Sequence, residues 1–246
     1  APKKETTSKK KVEQQGQQFD LFSPPGSGIV TELKDSERKD LKTKKHWYQT
    51  VDSKLSRELL LKKLLDQKSV CFYTETTSLY GLSAEIVGIA FSWEESKGYY
   101  LVLPDNKDET LAILKPFKAF FEHTEIEKIG HNLKYDLKVL KNYNLNVTAP
   151  LFDTMIAHYL INPDMRHNMD ILAETYLDYN PQSITELIGK KGLNQRSMRD
   201  VSIEKQTEYA VEDADITFQL KQYFEKEMDA AQTLDLYKKV ELPLSL

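Results

Sequence analysis

Three acidic residues and one tyrosine in this chain of 246 residues have the types and sequence contexts from which a hydrolytic metal site can be built. Glu75 ends an apolar run, Asp136 lies in the segment HNLKYD, and Tyr209 and Asp213 are four residues apart in EYAVEDADIT. Carboxylate oxygens suit Mg²⁺ or Mn²⁺, and two such ions about 4 Å apart are a usual device for cleaving phosphodiesters. A tyrosine beside them can position the attacking water. If the fold brings these residues together, they predict metal-assisted hydrolysis of a phosphodiester.

Each of these acids also has a plainer interpretation, and the sequence by itself does not show that they converge. Taken singly, such an acid is more often a helix cap or a solvated charge. Two other acids we interpret as structural. Asp153 opens the segment FDTMIAHYLI as a helix start, and Asp215 follows in the same EDADIT stretch as a partner for a neighbouring charge.

The four residues lie on different predicted elements of an α/β domain. Glu75 ends a predicted strand, Asp136 lies one turn into a helix, and Tyr209 and Asp213 share one face of a long helix. A meander of strands, then a strand and helices, predicts a mixed sheet flanked by helices. The predicted strands are 47–51, 69–75, 84–93, 98–103 and 128–130, and the predicted helices are 56–67, 109–122, 133–143, 152–161, 168–178, 183–188 and 202–228.

Composition is that of an ordinary globular protein, with 40% hydrophobic and 29% charged residues. No apolar stretch approaches the roughly 18 residues of a membrane span, and we expect a cytoplasmic protein without a membrane partner. The net charge of −4 is unevenly distributed, because residues 1–46 carry 11 basic and 7 acidic side chains. An acidic folded body can still bind a phosphate chain where metal ions supply positive charge.

The order and contexts of the motifs resemble one family. The run ETTSL after a core strand, then HNLKYD, then YAVEDAD, resemble the three motifs of the 3′-to-5′ exonuclease domain of bacterial DNA polymerase I, in the tyrosine branch of the DEDD exonucleases. The resemblance extends over roughly residues 46–230, including SAEIVGIAFS, FDTMIAHYLINPDMRHNMDILAE and ITELIGKKGLNQ. It implies a ribonuclease-H-like α/β fold, a mixed sheet flanked by helices, and proofreading of DNA.

The resemblance also implies a domain organisation. Residues 1–45, rich in Lys, Gln, Ser and Pro, would be a flexible linker from a preceding 5′-nuclease domain. Residues 46–230 would be the exonuclease domain, and residues 231–246, which end in KVELPLSL, the truncated start of the polymerase domain. The implied partners are the single-stranded 3′ end of DNA and the polymerase and 5′-nuclease domains of the same parent chain.

By similarity, Glu75, Asp136 and Asp213 would be metal ligands, and Tyr209 would orient the attacking water. The implied cofactors are two Mg²⁺ or Mn²⁺ ions. A further set of residues sits where the family contacts the terminal nucleotides of the strand: Leu79, His131, Asn132, Arg166 and Ile184. Leu79 is equally typical of a core leucine after a strand, and Arg166 of a solvated loop residue.

One residue departs from the family pattern. The family has an aspartate that bridges both ions two residues before the glutamate, and this chain has Tyr73. A phenol with an unperturbed pKa of about 10 does not replace a carboxylate at neutral pH, and it is also bulkier. Tyr73 therefore predicts that at least one ion binds weakly and that hydrolysis is impaired. A catalytically silent structural or strand-binding module is the alternative, and a ribonuclease of the same superfamily a weaker one.

Overall fold

One six-stranded mixed sheet organises the residues that the computed structural model describes, which are 38–78, 84–190, 192 and 195–245. The strand order is β1-β4-β3-β2-β5-β6. β3 pairs antiparallel with both β2 and β4, whereas β1 with β4, β2 with β5 and β5 with β6 are parallel pairs. The strands are β1 (Trp47–Val51), β2 (Ser69–Thr76), β3 (Ile86–Glu94), β4 (Lys97–Val102), β5 (Glu127–Gly130) and β6 (Leu151–Asp153).

Helices cover both faces of this sheet, and the longest, α8, crosses one face behind five of the strands, β1 to β5. The helices are α1 (Lys54–Leu65), α2 (Lys107–Leu114), α3 (Lys118–Phe121), α4 (Leu133–Lys141), α5 (Thr154–Ile161), α6 (Met169–Tyr176), α7 (Ile184–Ile188), α8 (Ile203–Ala230), α9 (Leu234–Leu236) and α10 (Leu242–Ser245). A mixed sheet flanked by helices is therefore confirmed as the fold class.

Two hydrophobic layers lie on opposite faces of the sheet, and β2 contributes to both. Its alternating side chains place Phe72 in the layer covered by α1 to α4, and Cys71 and Tyr73 in the layer covered by α5, α6 and α8. Because strand residues alternate between faces, Glu75 follows Tyr73 onto the α8 side and Thr74 projects onto the α4 side.

Most predicted elements are confirmed, and the departures have local causes. Residues 152 and 153, predicted as the start of the helix 152–161, belong instead to the edge strand β6, and the helix begins only at Thr154. The predicted helix 109–122 is divided into α2, a 3₁₀ turn over Lys115–Phe117, and α3. Pro116 explains the division, because it lacks the backbone N–H that a continuous helix requires.

The segments at the two ends of the described chain pack on this body. Lys39 makes a parallel bridge to Tyr179, with Asn180 N donating to Lys39 O at 2.8 Å. The residues after α8 turn back, and Tyr237 is fully buried against Phe152 with ring centroids 5.1 Å apart. The predicted domain boundaries at 45 and 230 stay predictions. Within the described ranges, no helix is long and apolar enough to cross a membrane.

Candidate active site

Glu75 lies at the end of β2, where the regular pairing with β3 is interrupted. The register shifts between Glu75 and Thr76, an irregularity of the kind that re-aims side chains beside functional sites. The Glu75 side chain is buried, and its Oε1 has no hydrogen-bond partner. Burial, together with the nearby Asp136 carboxylate, raises the pKa of Glu75 to about 8.

Asp136 approaches the same strand end from the α4 layer. The chain leaves β5 at Gly130, where a Cβ would lie 2.4 Å from Leu133 Cδ2 and would displace the Leu133 side chain at the start of α4. Thr74 donates to Asp136 Oδ1 twice, from its backbone N at 2.9 Å and from its hydroxyl at 2.5 Å. Burial raises the pKa of Asp136 to about 7, although both Thr74 hydrogen bonds oppose the rise.

Tyr209 and Asp213 project from α8 toward Glu75. Asp213 is 2% exposed, and its Oδ1 also has no hydrogen-bond partner. Burial first, then the charges of Glu75, Glu212 and Asp170, hold its pKa well above the usual range. Burial and the charge of Asp213 also raise the pKa of Tyr209, so that its hydroxyl stays protonated.

These mutual electrostatic effects show that the structure brings together all four residues selected from the sequence. Carboxylates buried side by side repel each other when ionised, and the raised pKa values are the consequence. Two unpaired buried oxygens, Glu75 Oε1 and Asp213 Oδ1, are the kind of donor that a hard divalent cation takes. Within the part of the chain that the structure describes, however, no three Asp, Glu, His or Cys side chains are arranged to hold one metal ion.

Tyr73 lies within this acidic group. It is paired with Ala90 of β3 and packs into the hydrophobic layer on the α8 side. Burial first, then the charges of Asp213, Asp136 and Glu75, hold its pKa well above the usual range. The side chain is thus a neutral phenol that supplies neither the negative charge nor the two oxygens of a carboxylate.

The residues predicted to contact nucleotides differ in burial and in position. His131 directly follows β5, is 8% exposed and shares a 2.8 Å hydrogen bond between its Nδ1 and Thr154 Oγ1. Burial lowers its pKa to about 4, so it is neutral at pH 7. Asn132 is exposed, with φ of 61° in the left-handed region, and Arg166 is exposed in the loop between α5 and α6. Leu79 lies outside the described residues.

The loop that contains Arg166 contacts the end of β5 through His167. His131 is hydrogen-bonded to the backbone of His167, which brings the Arg166 loop to the end of β5. Ile184 of α7 packs with Tyr209 in a small cluster around Val87, Leu187 and Met198. Ile184 therefore lies beside Tyr209 of the acidic group, and the Arg166 loop lies beside the end of β5.

Three residues that hold the site residues in place were not identified from sequence. They are Thr74, Tyr237 and Asp153, the last in only one of its two roles. Asp153 is confirmed as the N-cap of α5, accepting from Met155 N at 2.9 Å. It also accepts from Asn132 N at 3.1 Å and Leu133 N at 2.8 Å, and so caps α4 as well. The motif FDT predicts the first role. The second depends on the pairing of β5 with β6, for which the sequence carries no local signal.

Known structures share this fold. Brucella melitensis NrnC with bound Mg²⁺ is similar over 82% of this chain and 90% of its own, with a TM-score of 0.63 and 18% identity. Escherichia coli RNase D, an exoribonuclease involved in structured RNA processing, is similar over 80% of this chain and 49% of its own, with a TM-score of 0.64 and 18% identity. At these identities the likeness shows the fold alone, which is the ribonuclease-H-like fold that the sequence predicts.

Similarity in sequence identifies the family of this chain as well as its fold. A family model described as 3′-5′ exonuclease matches residues 48–229, and the chain therefore belongs to the 3′-5′ exonuclease family of DNA polymerases of the DNA polymerase I type. DNA polymerase I of Borreliella burgdorferi is 34% identical over 201 residues, which cover 80% of this chain and 22% of the relative. DNA polymerase I of Pseudomonas aeruginosa is 31% identical over 208 residues, covering 80% and 23% respectively. The chain thus spans less than a quarter of the length of these curated relatives.

Proposed function

We propose that this chain is the 3′-5′ exonuclease domain of a DNA polymerase I and that it hydrolyses the 3′-terminal phosphodiester of single-stranded DNA only weakly, because Tyr73 occupies a metal-ligand position. The observation that carries the proposal is the electrostatic contact of Tyr73 with Glu75, Asp136 and Asp213 at one strand end. Family membership supports the reaction class. The departure at Tyr73 supports the impairment.

The donor set fits one divalent cation better than two. Glu75 and Asp213 would hold it, because each has a buried oxygen without a partner, whereas the Oδ1 of Asp136 is already occupied by Thr74. When bound, Mg²⁺ or Mn²⁺ would neutralise phosphate charge and make the attacking water more acidic. Tyr73 stands where the family has a carboxylate that would help to hold a second ion.

The remaining side chains would position the strand and the water. Tyr209, protonated at neutral pH, would orient the attacking water by a hydrogen bond rather than remove its proton. Neutral His131 would support the contact with the terminal nucleotide without contributing charge, through its hydrogen bonds with Thr154 and the His167 backbone. The exposed guanidinium of Arg166 would clamp a phosphate. We carry Leu79 and Asn132 over from the family as further contacts with the terminal nucleotides.

A silent module that only holds 3′ ends, or braces a neighbouring polymerase domain, is the second candidate, and Tyr73 favours it too. The proposed partners in either case are a single-stranded 3′ end and the polymerase and 5′-nuclease parts of a longer chain. A cytoplasmic location agrees with these partners.

Degradation of a 5′-labelled single strand with Mn²⁺ distinguishes the candidates. We expect little or no product ladder from the unmodified chain and a rate at least about 100-fold higher from Tyr73→Asp, because that variant regains the missing carboxylate. Tyr73→Phe is the matched control: it removes only the phenol hydroxyl and should not restore cleavage.

Three outcomes contradict parts of the proposal. Rapid cleavage by the unmodified chain overturns the impairment. Cleavage by Tyr73→Phe as fast as by Tyr73→Asp shows that a missing carboxylate is not the cause. If Tyr73→Asp is folded and inert, and Asp213→Ala binds the strand in Mn²⁺ as before, the metal-site assignment is wrong. Calorimetric titration with Mn²⁺ then shows whether the number of bound ions rises in Tyr73→Asp.

A further inference from the structure

Tyr237 lies outside the matched family region, which ends at residue 229, yet it is fully buried against Phe152 of β6. Its hydroxyl accepts a hydrogen bond from Asp153 N at 2.6 Å and donates one to Asp153 O at 3.1 Å. Both backbone polar groups of Asp153 are thus held by a single side chain. A residue of the C-terminal segment thereby fixes the end of strand β6.

Asp153 in turn determines where α4 begins. Its Oδ2 accepts from Leu133 N and its Oδ1 from Asn132 N, in addition to the two amides at the start of α5. One carboxylate therefore caps two helices, and four backbone N–H groups would lose their acceptor if it moved.

Thr154, the residue after Asp153, also contacts the segment that joins β5 to α4. Thr154 Oγ1 lies 3.2 Å from Gly130 O and 2.8 Å from His131 Nδ1, within hydrogen-bond distance of both. Asp153 and Thr154 together hold residues 130–133. Those residues set the left-handed turn at Asn132, and Asp136 follows within the first turn of α4.

We propose that Tyr237 is a positioning residue of the nuclease site, acting through Asp153 on Asn132 and the start of α4. The functional unit then extends beyond the family match to at least Tyr237. Only the expected effect on strand binding rests on the proposed function, since the effect on the start of α4 follows from the contacts themselves.

Tyr237→Phe in the full chain tests the proposal, because it keeps the ring on Phe152 and removes only the hydroxyl. We expect the amides of Asn132 and Leu133 to exchange hydrogen at least about 10-fold faster, and binding of a 5′-labelled single strand in Mn²⁺ to weaken about 5-fold. Asp153→Asn, which replaces one accepting oxygen by a donor, should accelerate the same two amides further.

Tyr143→Phe is the matched control, since the buried Tyr143 hydroxyl likewise accepts from one backbone amide, Ile86 N at 3.1 Å. It should accelerate exchange at Ile86 and leave Asn132 and Leu133 unchanged. Unchanged exchange at these two residues in Tyr237→Phe overturns the proposal, and so does equal acceleration throughout the sheet. If the unmodified chain binds no strand, the proposed function fails, and the exchange result still decides the role of Tyr237.

Discussion

Glu212 and Asp213 are adjacent residues of α8, both fully or almost fully buried, and they differ in how their charge is accommodated. Glu212 accepts from the Tyr179 hydroxyl at 2.6 Å and from Gln182 N at 3.0 Å. Asp213 has one oxygen without any partner. Consecutive helix residues point in different directions. Glu212 therefore faces the loop that contains Tyr179 and Gln182, whereas Asp213 faces the candidate site.

The same contrast extends along the helix. Asp215 accepts from the Tyr48 hydroxyl, Ser96 N and Gln219 Nε2. Its role is structural, as expected from sequence, although these donors are neutral and not the neighbouring charge that was expected. Buried polar groups in folded proteins are normally hydrogen-bonded, so a buried carboxylate oxygen without a donor calls for an explanation such as a missing ion. Glu212 and Asp215, whose oxygens accept hydrogen bonds, hold α8 in place. Asp213 has an oxygen that is available to a ligand.

The largest effect should come from removing a satisfied acid. Asp215→Ala leaves three donors without their acceptor, and we expect it to lower the free energy of unfolding by about 3 kcal/mol. Asp213→Ala removes a buried carboxyl group with one unpartnered oxygen, so we expect a change of less than about 1 kcal/mol without metal. Urea unfolding at pH 7.5 with a chelator measures both. Equal losses in the two variants would abolish the distinction between the two acids.

A smaller effect should appear in the pH dependence of stability. Because the pKa of Glu75 is raised to about 8, the native chain holds a proton that the unfolded chain releases, and this stabilisation is lost as pH rises through 8. Between pH 8.5 and 7.0 we expect the metal-free chain to gain about 1 kcal/mol from Glu75. Glu75→Gln should lose that gain, and an unchanged slope would contradict the raised pKa.

That pH window avoids the buried histidines. Burial lowers the pKa of both His131 and His158 to about 4, so their neutral forms favour the native state. Their contribution is lost only as pH falls below their unfolded pKa of about 6.5. The comparison of Glu75→Gln with the unmodified chain above pH 7 therefore reports on the acid.

The smallest effect is the stabilisation of the unmodified chain by metal. With one cation held by two unpaired oxygens, we expect 10 mM Mn²⁺ to add roughly 0.5 kcal/mol to the free energy of unfolding, and more in Tyr73→Asp. Asp213→Asn should abolish the increment, whereas Glu212→Gln should keep it. An increment of the same size in the unmodified chain and in Asp213→Asn would mean that the ion binds elsewhere.

Much of this arrangement could be predicted from sequence, because local patterns determine local structure. The apolar run before Glu75, the periodicity of α8 and the FDT cap each specify an element within a few residues. Helical spacing alone predicted that Tyr209 and Asp213 share one face of α8. In the structure both lie near Glu75.

What sequence did not reveal depends on pairing between distant segments. Thr74 meets Asp136 only because α4 packs against the end of β2, and Asp153 meets Asn132 only because β5 and β6 are neighbours. The short edge strand at 151–153 has three residues, too few for an alternating pattern to be recognised. Tyr237 lies in a segment whose apolar residues resemble the entry to another domain.

The alternation along β2 makes the site unusually sensitive to strand register. Tyr73 and Glu75 serve the α8 layer, and Thr74 serves α4. A shift of one residue would exchange these faces, taking the glutamate to α4 and leaving Asp136 without its threonine donors. Deleting or inserting a single residue between 69 and 75 should therefore damage the site more than any point substitution within it, and the irregularity after Glu75 marks where length variation can be absorbed.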